Sequence, residues 1–132
     1  MTYREGKVSI FDAKTFEKIG EKQMPKQMEE GWGLSHDENF IYASDGTYKI
    51  FKIIPETFEV ISFIEVKGLN GKHVRYINEL EVVDQFIYAN VLPLNIIIRF
   101  DKETGQVDKV WDFKKIHDLQ MEHVNSQHLS FD

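Results

Sequence analysis

The sequence predicts an all-β fold assembled from β-propeller blades. Three observations predict it. The apolar runs are short and rich in β-branched and aromatic residues. Turn residues separate them at roughly the 8–12-residue spacing of successive short strands. Sequence elements also recur with a period in the forties. Phe40-Ile41-Tyr42-Ala43 returns 46 residues later as Phe86-Ile87-Tyr88-Ala89, and Leu34 and Leu80 each stand six residues ahead of their copy. A turn element occurs three times, as Phe11-Asp12-Ala13-Lys14-Thr15-Phe16, Ile53-Ile54-Pro55-Glu56-Thr57-Phe58 and Phe100-Asp101-Lys102-Glu103-Thr104-Gly105, its threonines 42 and 47 residues apart. Repeats of that length built from short strands are what four-stranded blades produce.

Taken in order, Val8–Phe11 is a strand that ends at Asp12-Ala13-Lys14-Thr15, and Phe40–Ala43 is one that ends at Ser44-Asp45-Gly46-Thr47. Tyr48–Ile53 alternates in polarity and ends at Pro55-Glu56-Thr57. Phe58–Val66, Phe86–Val91, Ile96–Phe100 and Val107–Phe113 follow as strands, and Lys115–His123 has the composition of a short helix. The Asp/Thr element is the expected hairpin between the two outer strands of a blade: Asp accepts backbone amides and Thr caps the same turn. A Leu-x-x-Asp element opens at Leu34, Leu80 (one insertion) and Leu129. Residues 1–132 read as one partial propeller of about three repeats.

Composition removes several function classes. The chain has 132 residues, with 16 Lys+Arg against 22 Asp+Glu, a net charge of −6. That balance opposes a protein that tracks phosphates, so no nucleic-acid partner is expected. The absence of cysteine excludes disulfides, thiolate nucleophiles and Cys-ligated zinc. The longest uncharged apolar run, Val91–Ile98, has eight residues against the ~20 a membrane helix needs, so no membrane partner is expected either. Thr2-Tyr3-Arg4-Glu5-Gly6 after Met1 contains no apolar signal core, and the compartment stays open. His117, His123 and His128, six and five residues apart, lack metal-ligand spacing, and no metal or other cofactor is expected.

The repeat nominates a site. If Leu34, Leu80 and Leu129 are equivalent, the residues two before them are Trp32, Asn78 and Gln127. Period-2 alternation places each with its leucine on one side of an innermost strand, near the central mouth. Trp32 between Gly31 and Gly33 is an unusual choice for an ordinary inner strand. Asn78 either satisfies backbone groups at a strand start or hydrogen-bonds a ligand. Ser44-Asp45-Gly46-Thr47 reads as a turn with Gly46 at positive φ, not a phosphate cradle, because a strand follows it. Glu79 and Glu81 alternate to the other side as blade contacts or solvated groups. Trp111 and Phe113 read as core, and Lys72, His73 and Arg75 as a solvated basic loop.

Gly31-Trp32-Gly33-Leu34, Ser44-Asp45-Gly46-Thr47 and Ile77-Asn78-Glu79-Leu80-Glu81, in this order and spacing, resemble the plant-type glutaminyl-peptide cyclotransferases, which are five-bladed β-propellers. Tyr3-Arg4-Glu5-Gly6, Pro55-Glu56-Thr57-Phe58 and Tyr88-Ala89-Asn90-Val91 match further family segments, so the resemblance runs from Tyr3 to Asp132. It implies cyclisation of an N-terminal glutamine to pyroglutamate with release of ammonia, on a peptide or protein partner and without a metal. It also implies that Trp32 is a substrate-cage wall, that Gln127 binds substrate, and that Asn78 is a hydrogen-bonding group of the catalytic site. Leu92 stands where the family has an aromatic, Gln127 replaces a usual Asn and Tyr3 a usual Trp. The family's Phe-Thr-Gln-Gly-Leu element, its acid-bearing Phe-Glu-Ser element and its lysine-bearing C-terminal segment have no counterpart in these 132 residues. The resemblance therefore implies an enzyme of which this chain alone shows little or no activity, with self-association through open blade faces expected. The competing reading is a non-catalytic propeller fragment that serves as a binding or assembly module. A generic repeat propeller is a third reading, which the Trp32 and Asn78 motifs oppose.

Overall fold

A computed structural model describes residues 5–128. Among them are ten strands and one helix. Strands β1 (Lys7–Phe11) and β2 (Lys18–Gln23) form a hairpin. Strands β3 (Leu34–His36), β4 (Ile41–Ser44), β5 (Lys49–Ile53) and β6 (Val60–Glu65) form one antiparallel four-stranded meander. Strands β7 (Ile77–Val83), β8 (Phe86–Val91), β9 (Ile96–Asp101) and β10 (Val107–Asp112) form a second, and α1 (Lys114–His128) follows. Two meanders side by side, each with its first strand innermost, are successive propeller blades, and β1–β2 supplies two strands beside the first. The sequence had not marked β2, whose Lys-Ile-Gly-Glu-Lys-Gln lacks a β-branched run and is paired by β1 alone.

The three Asp/Thr elements are the hairpins β1–β2, β5–β6 and β9–β10, and they share one backbone. The residue after each threonine has positive φ: Phe16 at 60°, Phe58 at 64° and Gly105 at 71°. Its amide donates to the carbonyl four residues back, at 2.9, 2.8 and 2.9 Å. The next amide donates to the threonine hydroxyl, at 3.3 Å in each of the three. Asp12 and Asp101 each accept two further amides, which hold both carboxyls below their usual range.

Alternation sets the layers. Tyr42, Ile50 and Ile64 of the first blade meet Leu80, Ile87, Ala89 and Ile98 of the second, while Ala43, Phe51 and Ile53 meet Val8 of β1 on the other face. Burial on both faces explains why β4 reads as a near-continuous apolar run. Trp111 and Phe113 are 37% and 38% exposed, so they are not core. Trp111 lies on the blade face turned away from the first blade and stacks on Tyr88 at 5.8 Å.

At one end of the blades, Asp37 in the β3–β4 turn links the two sheets. It accepts from Asn39 and Phe40 amides at 2.9 Å, from the Tyr42 hydroxyl at 3.0 Å, and from Lys102 Nζ of the second blade at 2.8 Å. Burial pushes the Asp37 carboxyl up, but the Lys102 ammonium and these donors outweigh it and hold the group well below the usual carboxylate range. Burial, and then the Asp37 charge, push the Tyr42 hydroxyl up. A carboxyl depressed in the folded state contributes stability above its unfolded pKa of about 3.9, and that stability is lost as pH falls through its folded value. Denaturant titrations from neutral pH to about pH 2 should therefore show a steep acid loss of stability. Asp37→Asn should lower stability at neutral pH by about 1–2 kcal/mol and flatten the acid limb. An unchanged acid limb would remove this pair from the account.

Helix α1 begins where Asp112 accepts the Lys114 amide at 2.8 Å, and Lys114 pairs with Asp118 one turn on at 2.7 Å. Among the described residues no helix is long and apolar enough to cross a membrane.

Candidate functional site

The opposite end of the blades gathers the residues singled out in the sequence. Residues 31–33 run antiparallel to the end of β4: the Trp32 amide donates to the Ser44 carbonyl and the Ser44 amide to the Gly33 carbonyl, each at 3.1 Å. The Ser44 side chain is fully buried and fully used. Its hydroxyl accepts the Gly33 amide at 2.7 Å and donates to the Asn78 carbonyl of the second blade at 2.6 Å. A Cβ on Gly33 would stand 2.8 Å from Glu79 Cα and 2.9 Å from the Asn78 carbonyl carbon, so only glycine lets the two inner strands approach this closely.

The turn between β4 and β5 carries the tryptophan. Gly46 has φ of +80°, and a Cβ there would lie 2.6 Å from Trp32 Cζ2, so the indole rests on the glycine. Trp32 Nε1 donates to Glu30 Oε2 at 2.8 Å, which fixes the ring in its plane. Asp45, 4% exposed, accepts the Thr47 hydroxyl at 2.6 Å and the amides of Thr47 and Glu29 at 3.1 Å. No helix follows; β5 does, as the turn reading requires.

Asn78 sits in a bulge. Ile77 pairs with Val91 and Leu80 with Ala89, so three steps on β7 oppose two on β8. The Asn90 side chain accepts the Glu79 amide at 2.8 Å and pins the extra residue. Upstream, Tyr76 holds φ of 62°, its amide donating to the Gly46 carbonyl at 2.8 Å and its carbonyl accepting the Leu92 amide at 2.9 Å. A bulky residue at positive φ persists only where its surroundings over-determine it.

The structure corrects part of the sequence reading. Trp32 and Asn78 do lie at the same end, on either side of the seam between blades. The alternation argument that put them there fails: the bulge separates Asn78 from the side of Leu80, and Leu80 is 6% exposed while Leu34 is 43% exposed. Gln127 lies in α1 rather than on an innermost strand, because Lys114–His128 has only two β-branched residues in 15 and is capped by Asp112. Leu129–Asp132 lies outside the described residues. Sequence reasoning missed Ser44, Asn90 and Tyr76 as seam builders; the small pair Gly33 and Ser44 on neighbouring strands was the available signal.

This seam is spanned by a family pattern: the family model for glutamine cyclotransferase matches residues 1–129. The chain belongs to the glutamine cyclotransferase family. The family chain is 33% identical over 97 residues to the glutaminyl-peptide cyclotransferase of Arabidopsis thaliana, covering 74% of this chain and 29% of that protein. It superposes on the crystal structure of Myxococcus xanthus glutaminyl cyclase with a TM-score of 0.80 at 26% identity, covering 89% of this chain and 49% of that one. The computationally designed Ika4 protein, at a TM-score of 0.51 and 14% identity, shares the fold alone. The chain thus spans less than half the length of these two family relatives.

Proposed function

We propose that these residues supply part of the mouth of a glutaminyl-peptide cyclotransferase, with Trp32 as a cage wall and Asn78 as a hydrogen-bonding group beside the reacting amide. The observation that carries the reading is the seam: a tryptophan laid on Gly46 and an asparagine fixed in a bulge face the same end of two adjoining blades. In the reaction the α-amine of an N-terminal glutamine attacks its own γ-carboxamide carbon. The C–N bond of the ring forms, the amine gives up a proton, and ammonia leaves with one. Most of the barrier is proximity, so a wall that folds the side chain back onto the amine does much of the catalysis. An amide donor at the developing oxyanion lowers the rest. The chemistry needs no metal, and one carboxyl can take and return the proton. By the family resemblance that carboxyl lies on a blade these 132 residues do not contain. For Gln127, in α1, a substrate-binding role rests on the family resemblance alone.

Ammonia release from a glutamine-initiated peptide tests the reading, in a polypeptide where these residues stand with the remaining blades. Asn78→Ala should lower kcat about a hundredfold with little loss of stability, because the Asn78 main-chain carbonyl, not its side chain, holds the seam. Trp32→Ala should act mainly on KM, raising it about tenfold. Unchanged kinetics in both would favour the binding-module reading.

A further inference from the structure

The loop between the blades, residues 66–76, emerges at the same end as Trp32 and Asn78. No Asp or Glu occurs from Val66 to Asn78 in a chain of net charge −6, yet Lys67, Lys72, His73 and Arg75 all fall there. Two of these are built onto an aromatic ring. The His73 imidazole stacks on Tyr48 at 4.0 Å with 7° between planes, and the Arg75 guanidinium lies 5.7 Å from the same ring centre. Glu65 meets His73 at 3.4 Å, whereas neither Lys72 nor Arg75 has an ion-pair partner among the described residues. The platform is continuous with the mouth: Tyr48 follows Thr47 of the Trp32-bearing turn, and the Tyr76 amide, next to Arg75, bonds Gly46. Beside it opens a cleft of about 480 Å³ with Leu69, Val74 and Leu94 among its walls.

We propose that this platform binds the peptide that follows the N-terminal glutamine and selects acidic residues there; the inference rests on the cyclotransferase reading. A substrate held by its first residue must lead the rest of its chain out over the rim. Cations grouped at that rim, in a protein otherwise acidic, attract carboxylates and repel a basic chain. Tyr48 holds the His73 and Arg75 side chains in place, so little side-chain freedom is lost on binding. The apolar cleft receives the side chain between successive charges.

The test uses the 132-residue chain and three fluorescein-labelled peptides. Each begins with pyroglutamate and continues with two glutamates, two serines or two lysines. Fluorescence anisotropy at low ionic strength should rank them in that order, the first about tenfold tighter than the last, with the gap closing as salt rises. Arg75→Glu should reverse the order, and Lys72→Glu, on an exposed side chain with no packing role, should at least abolish it. Equal affinities, or binding of none of the three, would overturn the proposal. Ammonia release from the matching glutamine peptides, with the remaining blades present, reads the cyclotransferase assignment separately. Cyclisation without acidic preference overturns the platform alone. Acid-selective binding without cyclisation supports the platform and overturns the assigned chemistry.

Discussion

Residues 1–132 alone are expected to release ammonia from a glutamine-initiated peptide at least 10²–10⁴-fold more slowly than a five-bladed relative, the usual cost of losing a positioned acid/base. The chemical ground is that the family resemblance puts the proton-transferring carboxyl, and the lysine, outside these residues. The physical ground is the shape of two blades and a hairpin, an arc and not a closed ring. The blade face that bears Trp111 and Tyr88 packs on nothing among the described residues. Size-exclusion chromatography on the same sample should show association through such faces, or with added polypeptide carrying the remaining blades. Turnover at a relative's rate from a monodisperse monomer would mean that a carboxyl in this chain does the proton transfer. Glu79 and Glu81, both exposed on the bulged strand β7, would then be the first to replace.

Gly33→Ala is expected to be among the most damaging single substitutions in this chain, costing about 4 kcal/mol or preventing folding. The added methyl would overlap main-chain atoms at Asn78 and Glu79, not the movable end of a side chain. Relief would require the inner strands to separate. That would strand the buried Ser44 hydroxyl, which bonds across the gap to Asn78, and leave its partners unsatisfied. Circular dichroism melting against Gly20→Ala, whose new methyl would come no nearer than 3.6 Å to Ile10, isolates the effect from glycine replacement as such. Similar melting temperatures for the two variants would show that the seam can open at little cost. Loss of cyclisation in Gly33→Ala should therefore follow loss of fold, unlike that in Asn78→Ala.

Features decided by neighbours along the chain were legible. The three Asp/Thr hairpins repeat in sequence and in backbone, down to the positive φ after each threonine, because every bond that defines them closes within six residues. The alternation of β5 was legible for the same reason: side-chain period in a strand is a property of the strand. Leu34 and Leu80 looked equivalent because their sequence contexts match, but burial is set by what lies opposite, and only Leu80 is enclosed by the other blade. Gln127 looked like a third mouth residue by spacing alone, while capping and composition made its segment helical.

By itself, the sequence determined the fold class, the repeat, the hairpins and the residue types Trp32 and Asn78 that carry the family likeness. Only the tertiary structure decided how those two are held on either side of one seam. An extra residue at the Ile77–Leu80 bulge breaks the period-2 rule, Asn90 of the neighbouring strand holds it, and Gly33 and Ser44 let a different blade come within hydrogen-bond reach. The bulge and its Asn90 bond join neighbouring strands of one blade, 11 positions apart, and the Ser44–Asn78 bond joins two blades, 34 positions apart; no local pattern encodes either.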